Sequence, residues 1–107
     1  MDDRPTGGLP LDDPRAPLYS VGQVASMLDV QQAFLRRLDS HDIVSPARSD
    51  GQQRRYSRND IADVQEAVGL IDEGLTLSGV RRVLDLQERV RHLEQELSDL
   101  RDERSGS

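Results

Sequence analysis

Between residues 31 and 56 stand five arginines, a glutamine pair and a tyrosine that could act together: Gln31, Gln32, Arg36, Arg37, Arg48, Arg54, Arg55 and Tyr56. A guanidinium is a flat fork of donors that fits phosphate oxygens and the O6/N7 edge of guanine. A glutamine amide fits N6/N7 of adenine. The chemistry that suits such a set is recognition of double-stranded DNA. Gln31, Gln32 and Arg36 are expected to meet base edges, with Arg37 beside them. Arg48, Arg54 and Arg55 are expected to grip the phosphate backbone, with Tyr56 next in line.

Other chemistries have little to work with. The chain of 107 residues has no cysteine, which removes disulfides, thiolate metal sites and thiol nucleophiles. Of two histidines, His41 falls at the expected end of a helix and His92 at an outward helical position. Neither has the partners of a metal or catalytic cluster. The expectation is a protein that is not an enzyme and uses no cofactor and no metal. No apolar run approaches the roughly 20 residues that cross a bilayer, and the acidic start is unlike a signal peptide. A cytoplasmic location with no membrane partner, and nucleoid association when bound to DNA, is therefore expected.

The net charge of −6 runs against a nucleic-acid partner until its distribution is considered. Residues 19–60 hold six arginines against five aspartates, whereas residues 61–107 hold eleven acids against six arginines. Every cation in the chain is arginine. Clustering within the middle stretch governs the local potential more than the total does.

The elements that must position these side chains can be read from periodicity and caps. Residues 1–17, with four prolines and no apolar period, read as a disordered arm. Ser20 with Gln23 forms a capping-box pattern, so a helix should start at Val21 and present Val21, Val24, Ala25 and Leu28 on one face. Asp29-Val30 reads as a tight turn. A second helix follows through Phe34, Leu35 and Leu38 to near His41. Pro46 bars its continuation, and the polar stretch from Ser45 to Tyr56, with Gly51 near its middle, suits a short hairpin. Ser57 with Asp60 opens a third helix carrying Ile61, Val64, Val68 and Ile71, which Gly74 should close in a left-handed conformation.

From Thr76 to about Arg101 the pattern is one long helix. Leu77, Val80 and Leu84 form a stripe suited to packing on the preceding elements. Val83, Leu86, Val90, Leu93, Leu97 and Leu100 then alternate at spacings of three and four. That is a coiled-coil seam, flanked by Arg89, Glu94, Glu96 and Arg101. The rest of the chain offers too little apolar surface to cover six seam positions, so self-association into a homodimer is expected. The predicted fold is all-α with a small β-hairpin wing. It comprises a disordered arm (1–17), a winged helix-turn-helix head (18–75), a dimerisation helix (76–103) and a frayed tail (104–107). A coiled-coil protein-interaction adaptor whose head does not read DNA is the alternative.

Helix, tight turn, helix, hairpin, helix is the order in which residues 19–86 resemble the MerR family of regulators. Tyr19-Ser-Val-Gly-Gln-Val-Ala25 is similar to the family's opening helix. Phe34-Leu-Arg-Arg-Leu-Asp39 and Ile43-Val-Ser-Pro-Ala-Arg48 resemble its recognition helix and the start of its wing. Arg54-Arg-Tyr-Ser57, followed by Asp60-Ile61, resembles the wing's end and the next helix. The Arg-Arg-Tyr-Ser wing and the stretch Glu73–Leu84 bring it nearest to the heat-shock repressor (HspR) subgroup. The resemblance implies two heads joined by antiparallel C-terminal helices on a pseudo-palindromic operator. It also implies a repressor, control of heat-shock or chaperone genes, and a regulatory partner such as a chaperone. With the long helix close to Ser107, no effector-binding domain is expected. Departures from the family pattern are Phe34 for a small polar residue, Arg37 and Leu38 for aromatics, Gln53 for a tyrosine, and Asp29 and Asp42 for turn glycines.

Overall fold

The computed structural model describes residues 13–106, in the order β1 (Tyr19–Ser20), α1 (Val21–Leu28), α2 (Gln32–Ser40), β2 (Ala47–Arg48), β3 (Arg54–Tyr56), α3 (Arg58–Asp72) and α4 (Leu77–Ser105). The strands form one antiparallel sheet in the order β1-β3-β2, with Tyr19 opposite Tyr56 and Ala47 opposite Arg55. The hairpin of β2 and β3 is the wing; β1 is an addition that the sequence did not suggest.

The helix starts follow the side chains expected to cap them. Ser20 Oγ accepts from the Gln23 amide at 3.1 Å, and Gln23 Oε1 accepts from the Ser20 amide at 2.8 Å. Ser57 and Asp60 make the same reciprocal pair at 3.0 and 2.9 Å. Thr76 Oγ1 accepts from the Gly79 amide and begins α4. Each arrangement satisfies amides that a helix start leaves without intrahelical partners.

Three of the four helices end at a left-handed residue: Asp29 (φ 54°), Asp42 (φ 57°) and Gly74 (φ 100°). After each, the next amide reaches back over the last turn: Val30 to the Ala25 carbonyl, Ile43 to Leu38, and Leu75 to Leu70. This is the hydrogen-bond closure of a Schellman end. Asp29 and Asp42 are the two positions where the resemblance led to glycine, and the backbone there has the conformation that glycine favours. Aspartate tolerates it better than most residues, and a β-branched residue does not. Asp29→Val is therefore expected to lose about 1–2 kcal/mol of stability, while Asp29→Gly stays near parental because strain relief offsets a looser unfolded chain. Urea melts of the two variants check this; equal loss in both would mean that Asp29 acts through its carboxylate. In the wing loop the left-handed residue is Gln52 (φ 65°) and not Gly51.

The core is made by Val24 and Ala25 of α1, Leu35 and Leu38 of α2, Val44 in the following loop, Tyr56 of β3, Ile61, Val64 and Ala67 of α3, and Val80 of α4. Val21, Leu77 and Leu84 pack around it half-buried. Order begins earlier than the expected boundary at Leu18. The Pro14 carbonyl accepts from the Asn59 amide at 3.0 Å, the Leu18 amide donates to Tyr56, and Ala16 is buried. Proline richness gave no sign that this segment straps the start of α3. The rest of the expected arm, residues 1–12, lies outside the described residues. At the other end α4 runs through Ser105, beyond the expected stop at 103. Where α4 leaves the head, burial raises the Asp63 carboxyl above the usual carboxylate range, opposed by the Arg91 guanidinium.

Candidate nucleic-acid interface

Helix α2 buries Leu35 and Leu38 on one side, so the opposite side faces solvent with Gln32, Ala33, Arg36, Arg37 and Ser40. Gln32 and Arg36 are one turn apart on that side, and Arg36 Nη2 donates to Gln32 Oε1 at 3.2 Å. They stand beside the wing and the start of α1. A cleft of about 380 Å³ is lined by Ser20, Val21, Arg36, Gln52, Gln53 and Arg54. The sequence pattern did not single out Ala33 or Gln52, and marked Gln53 only as a departure from a family tyrosine; Ala33 is a methyl group on the exposed face, suited to a thymine methyl. Its signal was available only once the phase of α2 was known.

Gln31 is placed differently from Gln32. It is the residue before the helix, and its side chain makes no capping bond. It borders a separate depression with Asp29, Val30, Phe34, Val68, Ile71 and Asp72. Phe34, the departure from a small polar residue, packs half-buried against the core from that side. Arg37 is exposed in the last turn of α2.

The wing arginines divide into two kinds. Arg54 Nε donates to Asp39 Oδ2 at 2.7 Å, and Arg48 Nη2 donates to the same oxygen at 3.0 Å. Arg48 Nη1 also reaches the Gln52 carbonyl at 3.3 Å. Asp39, in the last turn of α2, thus holds both strands of the hairpin. Arg55 points from the other face of β3, next to Gln53 Oε1 at 3.4 Å. The sequence placed these three arginines on the wing but did not reveal that two of them share a carboxylate, because the partners are nine and fifteen residues apart.

Tyr56 corrects the expected site. It is fully buried, and its hydroxyl has no hydrogen-bond partner among the described residues. Burial pushes the phenol above its ordinary pKa. Alternation along β3 turns Tyr56 inward with Arg54, whereas a polar neighbourhood in the sequence suggested a surface position. It supports the wing from beneath and presents no exposed surface in the single chain.

On α4, Leu86, Val90, Leu93, Leu97 and Leu100 are each 48–60 % exposed. Val83, nearer the head, is half-buried. A shallow apolar hollow is lined by Val83, Leu86, Gln87, Val90 and Arg91. Arg91 pairs with Glu88, and His92 with Glu96 at 3.4 Å, both along the same helix. Among the described residues no group of three His, Cys, Asp or Glu side chains could hold a metal ion. No described helix is long and apolar enough to cross a membrane.

A helix-turn-helix with a hairpin wing and a protruding long helix defines a winged helix-turn-helix protein. The profile of the MerR HTH family regulatory protein matches residues 19–87, so the chain belongs to the MerR family. It is 34 % identical over 73 residues to the HTH-type transcriptional regulator GlnR of Bacillus anthracis, covering 68 % of this chain and 57 % of that protein. It is 33 % identical over 85 residues to the putative heat shock protein HspR of Streptomyces coelicolor, covering 78 % and 56 %. The chain thus spans just over half the length of these relatives. Among solved structures, the N-terminal part of MtaN, the Bacillus subtilis multidrug transporter activator, superposes with a TM-score of 0.60 at 24 % identity, covering 78 % of this chain and 89 % of that one. A MerR-family transcriptional regulator from Bacillus cereus gives 0.58 at 21 % identity, covering 80 % and 70 %.

Proposed function

We propose that the protein is a sequence-specific DNA-binding transcriptional regulator without catalytic activity, acting in the cytoplasm as a homodimeric repressor on a pseudo-palindromic operator. The observation that carries this reading is the solvent-facing side of α2, where Gln32 and Arg36 stand beside the hairpin wing with Ala33 exposed next to them in sequence. A helix of this width enters the major groove, and the hairpin then lies along the adjacent backbone, within reach of phosphate through Arg55. Heat-shock genes are the favoured targets, supported by the HspR relative and by the Arg54-Arg-Tyr-Ser57 wing.

The exposed seam supports dimerisation, and its length supports an antiparallel pair. The midpoint between Val83 and Leu100 falls near Arg91 and His92. Val80, which roots α4 in the head, stands about 17 Å from that midpoint at 1.5 Å per residue, so an antiparallel pair places its roots about 35 Å apart. One turn of B-DNA spans roughly 34–36 Å, the spacing at which two heads can read successive major grooves. Parallel helices would instead bring the roots within about 10 Å. In the antiparallel pair Arg89 faces Glu96 of the second copy.

Gel shifts against genomic fragments at moderate salt test the reading. Sequence-selective bands are expected, with fragments upstream of chaperone genes among those retained; an adaptor that does not read DNA gives none. Substituting Gln31, Gln32 and Arg36 by alanine in turn refines it. Loss of a bidentate base contact removes roughly 1–3 kcal/mol of discrimination. Gln32→Ala and Arg36→Ala should each relax preference at a distinct base position, and Gln31→Ala should have the smallest effect. Three variants with unchanged preference would show that α2 is not the reading helix.

A further inference from the structure

Asp39 is an anomaly on the proposed DNA-binding side. A carboxylate at the edge of a groove-reading helix repels phosphate, yet this one is mostly buried and is gripped by two arginines from two strands. Its side chain is 14 % exposed, against 42 % for Arg48 and 23 % for Arg54. Both guanidinium groups converge on Oδ2, and Arg48 is further tied to the loop carbonyl of Gln52. A guanidinium has a limited set of donors in a fixed fork. Donors turned toward Asp39 are not turned toward phosphate. By contrast, Arg36 and Arg55 are held only through neutral glutamine side chains at 3.2 and 3.4 Å.

We propose that Asp39 is a specificity-determining positioning residue that fixes the wing against α2 and withholds Arg48 and Arg54 from indiscriminate phosphate binding. This inference rests on the DNA-reading function proposed above. Binding to arbitrary duplex depends on the number of phosphates neutralised, whereas binding to an operator also depends on the spacing between wing and reading helix. Holding two wing charges on one carboxylate lowers the first and fixes the second. Asp39 touches no base in this scheme; it acts through the two arginines.

The test compares the full chain with Asp39→Asn, Asp39→Glu, Arg54→Gln and the double variant Asp39→Asn/Arg54→Gln. Each is titrated from low to moderate salt with a mixed-sequence duplex and with the genomic fragment best retained by the parental protein. Folding is checked by circular dichroism and a thermal melt. For Asp39→Asn, affinity for the mixed duplex should rise about tenfold at low salt, and the slope of log K against log salt should steepen by about 0.9 for each arginine released. Preference for the retained fragment should fall. Asp39→Glu should restore the parental slope. Arg54→Gln should leave the slope unchanged in the parental background and flatten it by about 0.9 in the Asp39→Asn background. A residue that only braces the fold gives a different result: Asp39→Asn would weaken both duplexes alike with no steepening, and that overturns the proposal. If Asp39→Asn melts early, Arg54→Gln alone decides, since a flattened slope in the parental background means Arg54 already binds phosphate. Failure of the parental protein to bind either duplex overturns the functional reading itself and this proposal with it.

Discussion

Leu93→Glu should give a folded monomer that binds its operator about 10²–10⁴-fold more weakly, because tethering of the second head is lost. Leu93 is half exposed in the single chain and is not part of the core of the head. It occupies the middle of the apolar seam, so in the proposed dimer the change sets a carboxylate in each of two facing helices. A buried unpaired charge costs several kcal/mol, and a seam of six apolar positions has little stability to spare. The head does not depend on that seam. Val24, Leu35, Leu38, Tyr56, Val64 and Val80 hold it together, and Val80 marks the last fully buried position along α4. Analytical ultracentrifugation paired with a gel shift reads both halves of the expectation. A dimeric variant, or a monomer with near-parental affinity, would show that α4 is not the dimerisation element.

Tyr56 carries the second large effect, and two substitutions at this position separate core from contact. Tyr56→Ala empties the largest fully buried side-chain site in the head. Large aromatic-to-alanine changes in cores cost about 3–5 kcal/mol. At about 4–8 °C per kcal/mol for a domain of this size, the melting temperature should fall by well over 10 °C. Tyr56→Phe removes only a hydroxyl that has no hydrogen-bond partner among the described residues. Its stability should stay within about 1 kcal/mol of parental, in the stabilising direction, and its DNA affinity should be unchanged. If Tyr56→Phe folds normally but binds DNA several-fold more weakly, the hydroxyl does reach the nucleic acid and the assignment to the core is wrong.

The two Tyr56 variants also mark where sequence reasoning stopped. Ser20, Ser57 and Gly74 announced their helix boundaries because caps are local chemistry, readable within three or four residues. The apolar faces of α1, α2 and α3 followed from the helical period. Ala67 escaped because alanine carries little periodic signal, yet it is fully buried. Strand β1 is two residues long and has no alternation to read; it exists because Tyr19 and Ser20 pair with β3. The strap formed by Pro14 and Ala16 was hidden for the same reason, since its partner Asn59 lies far along the chain. In the candidate site the arginines were legible as a set, but their division was not. Whether an arginine faces solvent or Asp39 depends on how the hairpin folds onto α2, and no spacing within the wing encodes that. The left-handed backbone at Asp29 and Asp42 was legible only as a departure from glycine.

The most direct measurement of the central claim is selection of duplexes from a randomised pool by the 107-residue chain, followed by sequencing of the bound fraction. The expected result is an enriched motif with two similar half-sites in inverted orientation, their centres about one helical turn apart. A pool with no enriched motif, or with a single half-site and no inverted repeat, would contradict a dimer that reads DNA through α2.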